Sequence, residues 1–162
     1  RQARIIAEYY NTGEWLGHYV TYARELSVKN GWRMSTWYLP HDMGVVDITQ
    51  DNKTREQILN ELGVGDTVIL EKLSKHHGIE EVRQELRNIW IAEECVYLEQ
   101  CCLNYTKDWN PLLEVWRDEP KRNQWAHGAD TIRYMMQACT IHLFDSIEDP
   151  EDYITIAGGI AI

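Results

Sequence analysis

The sequence predicts an α/β layered domain whose strands run mainly parallel after the first. Three observations predict it. Runs rich in β-branched and aromatic residues recur at 3–10, 32–39 and 67–70. Apolar residues at helical spacing follow each run. Turn signals at Asn11-Thr12-Gly13, Asn30-Gly31, Pro40 and Gly63 punctuate the alternation. Such strand–helix alternation lays helices against a mostly parallel sheet. The strands near 4–10, 33–39 and 67–71 are expected in one sheet, flanked by helices at 14–29 and 79–93. A structure that places these strands in separate sheets would sink that reading.

Each element has a local reason. Residues 3–10 (ARIIAEYY) read as a short strand, and Thr12 is placed to cap the next helix. Trp15, Leu16, Tyr19, Tyr22, Ala23 and Leu26 give residues 14–29 an apolar helical stripe, stopped by Asn30-Gly31. Residues 32–39 (WRMSTWYL) suggest a strand buried on both faces, ended by Pro40. Residues 54–62 form a short helix closed by Gly63, and Thr67–Leu70 a compact strand. Ile79, Val82, Leu86, Ile89 and Trp90 fall on one stripe and predict a helix over 79–93. A further helix covers 95–106 and is broken at Asn110-Pro111. After the polar stretch 117–124, a last helix begins near His127 and turns Ile132, Met135, Met136, Cys139 and Leu143 inward.

Composition sets the outer bounds. The 162 residues are 44% hydrophobic and 26% charged, as in globular chains rather than disordered ones. No apolar run reaches the roughly 18–20 residues of a membrane helix. The opening residues lack a secretory pattern, so a soluble intracellular protein is expected. Cys95, Cys101, Cys102 and Cys139 form no C-x-x-C pair and read as reduced helix residues. The net charge of −10 opposes a broad nucleic-acid surface. A local basic cleft stays compatible with it, because metal ions screen carboxylates. Residues 1–144 read as one domain. Residues 145–162 read as an acidic, flexible tail, with five acids and no base in DSIEDPED. The seven tryptophans mostly fall on predicted apolar faces, where core packing explains them better than base stacking.

Two segments carry candidate chemistry. In Tyr38-Leu39-Pro40-His41-Asp42-Met43 an acid follows the carboxyl end of a buried strand, where α/β sheets build their sites. Asp42 is then either a cleft acid or a plain turn acid. In Trp125–Tyr134 (WAHGADTIRY), Asp130 is expected in the first turn of a helix, beside Gly128 and Ala129, which permit close approach of backbone or ligand. It is either a ligand or a complement to the helix dipole. Two carboxylates from a strand end and a helix start can converge on Mg²⁺ or Mn²⁺. Two such ions can activate a water and stabilise the leaving oxygen of a phosphodiester. His41 and His127 would orient the carboxylates or touch phosphate, or else make structural hydrogen bonds. Lys72, Lys75, Arg117, Lys121 and Arg122 would hold a DNA backbone, or else form solvated surface. His76-His77 lacks the spacing of a zinc site.

The runs AEYYNTGEWLGHY, WYLPHD, GIEEVRQELR, NYTKDWN and WAHGADTIRY together resemble the nuclease domain of phage terminase large subunits, over about residues 5–138. The paired PHD and HGAD-x-x-RY motifs are the most specific part. The resemblance implies an RNase H-like fold, with a mixed central sheet flanked by helices. It implies a hydrolase, a metal-dependent endonuclease that cuts concatemeric double-stranded DNA during phage or prophage genome packaging. Asp42 matches the family's acid at the end of the fourth strand, and Asp130 the acid at the start of the final helix. Two Mg²⁺ or Mn²⁺ ions are expected in a complete site, with the portal and the small terminase subunit as partners and the bacterial cytoplasm as location. The family's first catalytic Asp lies on a strand upstream of the stretch matching AEYYNTG. The chain therefore reads as N-terminally truncated relative to the family. Glu8 and Glu14 are nearby acids but not at the matching position. No G-x-x-x-x-G-K-[ST] phosphate loop of the family's motor occurs.

Two rivals remain open. One is another nuclease of the same layout, such as a resolvase or transposase-type enzyme. The other is an inert prophage fragment or packaging interaction module. The expectations are concrete. Asp42 and Asp130 should approach within several ångströms of one another, as carboxylates that share metal ions must. The chain alone should bind Mn²⁺ weakly and cut DNA slowly or not at all. An apolar sheet edge beside the strand ending near Asp42 should favour self-association.

Overall fold

The computed structural model describes residues 2–47, 52–140 and 156–157, with backbone alone for Asp47, Ile156 and Ala157. Its elements, in chain order, are β1 (Ala3–Ile5), α1 (Leu16–Asn30), β2 (Trp37–Leu39), β3 (Val46–Asp47), β4 (Lys53–Thr54), α2 (Arg55–Glu61), β5 (Thr67–Ile69) and α3 (Lys75–Glu85). They continue with β6 (Ile89–Ile91), α4 (Val96–Asn104), β7 (Lys107–Asn110), β8 (Val115–Pro120), α5 (Ala126–Ala138) and β9 (Ile156–Ala157). A 3₁₀ turn at His41–Gly44 follows β2, and another at Leu86–Asn88 precedes β6.

Local chemistry explains most boundaries. A capping box starts α2: the Gln57 N–H donates to Thr54 Oγ1 at 3.1 Å, and the Thr54 N–H donates to Gln57 Oε1 at 2.8 Å. Ser74 Oγ accepts the His77 N–H at 3.2 Å and starts α3. Gly31, at φ 68°, closes α1 in the left-handed region. Thr12 is not the cap expected of it. The helix begins later, after Trp15, with no side-chain cap, while the Thr12 N–H donates to Asn11 Oδ1.

The helix expected over 79–93 ends early. Ile89, Trp90 and Ile91 form β6 instead, paired in parallel with Ala3, Arg4 and Ile5. β-branched residues fit a pleated surface, and β1 supplies a partner that local periodicity cannot reveal. Leu86 and Trp90, expected inside, are 58% and 59% exposed. The hairpin of β7 and β8 is a second departure. Asn110-Pro111 is its turn rather than a simple helix break, and the stretch read as polar begins inside β8.

Among the described residues the single sheet expected for the three strands does not form: β2 and β5 share a sheet and β1 lies in another, so the fold reading that depended on one sheet is not met. Among the described residues β1 pairs with β6, while β2 is central to a three-stranded sheet between β5 and β9. Both of these sheets are parallel. The edge of β2 expected to stand open is paired over Trp37 and Tyr38 by Ile156 and Ala157. The rest of the tail lies outside the described residues, as does Leu143.

The core explains why β2 matters. Trp37 and Leu39 pack with Val20, Leu59 and Met43 on one side, and Tyr38 packs with Leu70 and Ala138 of α5 on the other. All three β2 residues are buried, as the sequence predicts. The opposite flank of α5 places Ile132, Met135, Met136 and Cys139 against Ala3, Cys95 and Leu98. α5 is therefore the element that joins the two parallel sheets. Gly128 lets it approach α4. A methyl there would overlap Cys101 Sγ and lie 2.8 Å from Cys101 Cβ. The close approach that Gly128 permits is thus to a neighbouring helix. Gly128→Ala is expected to destabilise by about 1–3 kcal/mol through overpacking, and Cys101→Ala to relieve part of it. Urea denaturation checks both.

The tryptophans are mostly not core. Only Trp37 is fully buried, while Trp15, Trp90, Trp109 and Trp116 are exposed. Trp109 and Trp116 pack edge to face across the hairpin, 5.1 Å between centroids. The four cysteines are free, as expected, and only Cys102 is exposed.

Candidate functional site

A cleft of about 330 Å³ opens where the segment after β1, the end of β2 and the start of α5 meet. Glu8, Asp42, His127, Asp130 and Tyr134 line it, with Tyr9, Tyr19, Tyr22 and Tyr97 among its apolar walls. Asp42 and Asp130 both line this cavity.

Asp42 is presented by its turn. Pro40 ends β2, and its carbonyl accepts the Met43 N–H at 3.0 Å. Met43 is buried under the turn, which leaves Asp42 exposed above it. The Asp42 side chain makes no hydrogen bond or ion pair among the described residues. It caps nothing, so the turn-cap alternative lacks a partner. Asp130 lies a full turn inside α5, which has no acid in its first turn. The helix-dipole alternative fades over that distance. Its Oδ1 is 3.3 Å from Nε of Arg133, whose side chain is only 7% exposed.

His41 joins the two motif segments. Its Nδ1 lies 3.2 Å from the Tyr134 hydroxyl, a hydrogen bond between residues 93 positions apart. Of its two readings, the structure assigns His41 a hydrogen bond to Tyr134. His127 is exposed on the first turn of α5 and lines the cleft.

Glu8 lines the cleft but is held against α4. Its two carboxylate oxygens accept the Tyr97 and Leu98 N–H groups at 2.8 and 2.7 Å. These are free amides at the start of α4, whose own cap residue, Cys95, offers no side-chain bond. Glu8 is a cap supplied from 90 positions away.

The predicted DNA-binding cations do not line the cleft. Lys72, Lys75, Lys121 and Arg122 are exposed elsewhere, and Arg117 pairs with Asp108 at 3.5 Å. The cations lining the cleft are Arg4 and Arg55, which sequence reading passed over. Tyr105 was also missed. Burial, then the field of Asp130, pushes its phenol up to about 12, opposed by Arg133. The phenol stays neutral at physiological pH and neighbours the Asp130–Arg133 pair. His76 and His77 make no metal pair; His77 Nε2 lies 3.6 Å from Glu81.

Metal fit is partial. The carboxylates are the hard oxygen donors that Mg²⁺ or Mn²⁺ prefers. No group of three or more His, Cys, Asp or Glu able to hold a metal ion occurs among the described residues. Two carboxylates do not make a complete two-metal site.

Fold and cleft together define a mixed α/β protein, with five helices and small sheets among the described residues and an acidic cleft at the end of its most buried strand. No described helix is long and apolar enough to cross a membrane. No family model, curated protein or solved structure matches the chain.

Proposed function

We propose that the chain is a nuclease domain of the phage terminase large-subunit type, with Asp42 and Asp130 as its cleft carboxylates. One observation carries the reading. The PHD and HGAD-x-x-RY segments fold against each other, with both acids on one cleft and His41 bonded to Tyr134. The proposal rests on these acid-bearing elements and not on a continuous RNase H-like sheet, since β1 and β2 lie in separate sheets. Within this reading, double-stranded DNA is the substrate, Arg4 and Arg55 are the cleft cations that face its phosphates, and packaging proteins are the partners. Mg²⁺ or Mn²⁺ would be held by Asp42 and Asp130 with water completing the shell, and would supply Lewis acidity.

The donor count favours a second reading. With Glu8 spent on α4, the two remaining acids suit a non-catalytic packaging module that binds metal weakly. Mn²⁺ titration followed by electron paramagnetic resonance tests both. Weak binding lost in Asp42→Asn plus Asp130→Asn supports a metal cleft. Binding that is unchanged in that double variant removes it.

A further inference from the structure

We infer that Arg133 is a positioning residue for Asp130, and that Gly78 of α3 is the notch that seats it. The inference rests on the proposed role of Asp130 and extends it to two residues that lie outside the cleft. Asp130, Thr131, Ile132 and Tyr134 line the cavity, whereas Arg133 does not. Arg133 approaches Asp130 from behind. Its Nε takes Oδ1 at 3.3 Å, and Oδ2 makes no hydrogen bond among the described residues. One oxygen is fixed and the other is left for whatever enters the cleft.

The packing around Arg133 explains why the pair holds its geometry. An i,i+3 ion pair on an open helix surface is floppy and screened. Here the Arg133 side chain is 7% exposed, so losing its carboxylate leaves a buried charge uncompensated. Its stem lies against Gly78, where a methyl would overlap both Arg133 Cγ and Cδ. Glycine is a poor helix former, yet Gly78 sits inside α3 and is itself buried. On the other side, the Arg133 Cζ lies 4.6 Å from the Tyr134 ring centroid. Tyr134 is bonded in turn to His41, the neighbour of Asp42. The positions of both cleft acids therefore connect through consecutive residues of α5.

The test uses carbon-13 NMR on protein labelled at the aspartate carboxyl carbon, with the Asp130 resonance assigned by Asp130→Asn. Arg133→Gln should displace that resonance. Gly78→Ala should displace it in the same direction by less. Arg133→Lys should return it part of the way, and this variant also keeps the buried charge should the Gln variant fail to fold. Mn²⁺ affinity should fall at least about tenfold in Arg133→Gln, as for other partners that orient metal-binding groups. An Asp130 resonance unmoved by Arg133→Gln overturns the positioning role, and one unmoved by Gly78→Ala overturns the notch. Mn²⁺ added to the wild type distinguishes the two readings. Failure to broaden the Asp130 resonance removes the metal cleft, while an Arg133-dependent shift still upholds the positioning.

Discussion

Asn at both positions 42 and 130 is expected to abolish Mn²⁺-supported nicking of plasmid DNA. Each substitution alone should cost about 10²–10³-fold, the scale on which a single preorganised electrostatic group acts. The physical basis is charge. Asp42 is exposed with no partner among the described residues, and Asp130 shares only one oxygen with Arg133. Asn keeps the shape of either side chain and removes the anion. Asp42→Asn should leave the fold unchanged, whereas Asp130→Asn leaves the buried Arg133 unpaired and should lower Tm, so nicking is assayed well below the variant's Tm. Under the proposed reading, wild-type turnover should itself be slow, because two carboxylates would under-charge a two-ion site. The assay therefore runs for hours at protein excess, with EDTA as control. Nicking that survives the double substitution would assign cleavage to other residues and end the proposal.

Glu8→Ala is the second large effect, and it separates a cap from a ligand. Glu8 lines the cleft, so it invites a reading as the missing third donor. Both of its oxygens, however, are held by the Tyr97 and Leu98 amides. Removing it strands two N–H groups at the start of α4 and unties the segment after β1 from that helix. The expected loss is about 2 kcal/mol, the scale of a charge-assisted cap. For a chain of this size that lowers Tm by about 4–8 °C. Mn²⁺ affinity should stay close to wild type. A variant with unchanged Tm and lost Mn²⁺ binding would show that Glu8 is a ligand and that the capping bonds are dispensable.

The sequence by itself determined what is local. The short helix after Thr54, the Gly31 stop, the burial of Trp37, Tyr38 and Leu39, and the inward face of α5 all follow from short-range pattern. It also singled out Asp42 and Asp130, because a strand end and a helix start are recognisable without knowing what lies opposite them. The tertiary structure decided everything that depends on a distant partner. Ile89–Ile91 fits a helical stripe equally well and becomes a strand only because β1 lies alongside. Among the described residues β1 pairs with β6, while β5 and β9 take both edges of β2 and leave none for β1. Glu8 is a cap because α4 starts beside it, and Arg133 is buried because Gly78 leaves room for its stem. Side-chain type and spacing fix what a residue can do. Which of those things it does is set by neighbours that the chain brings in from many positions away.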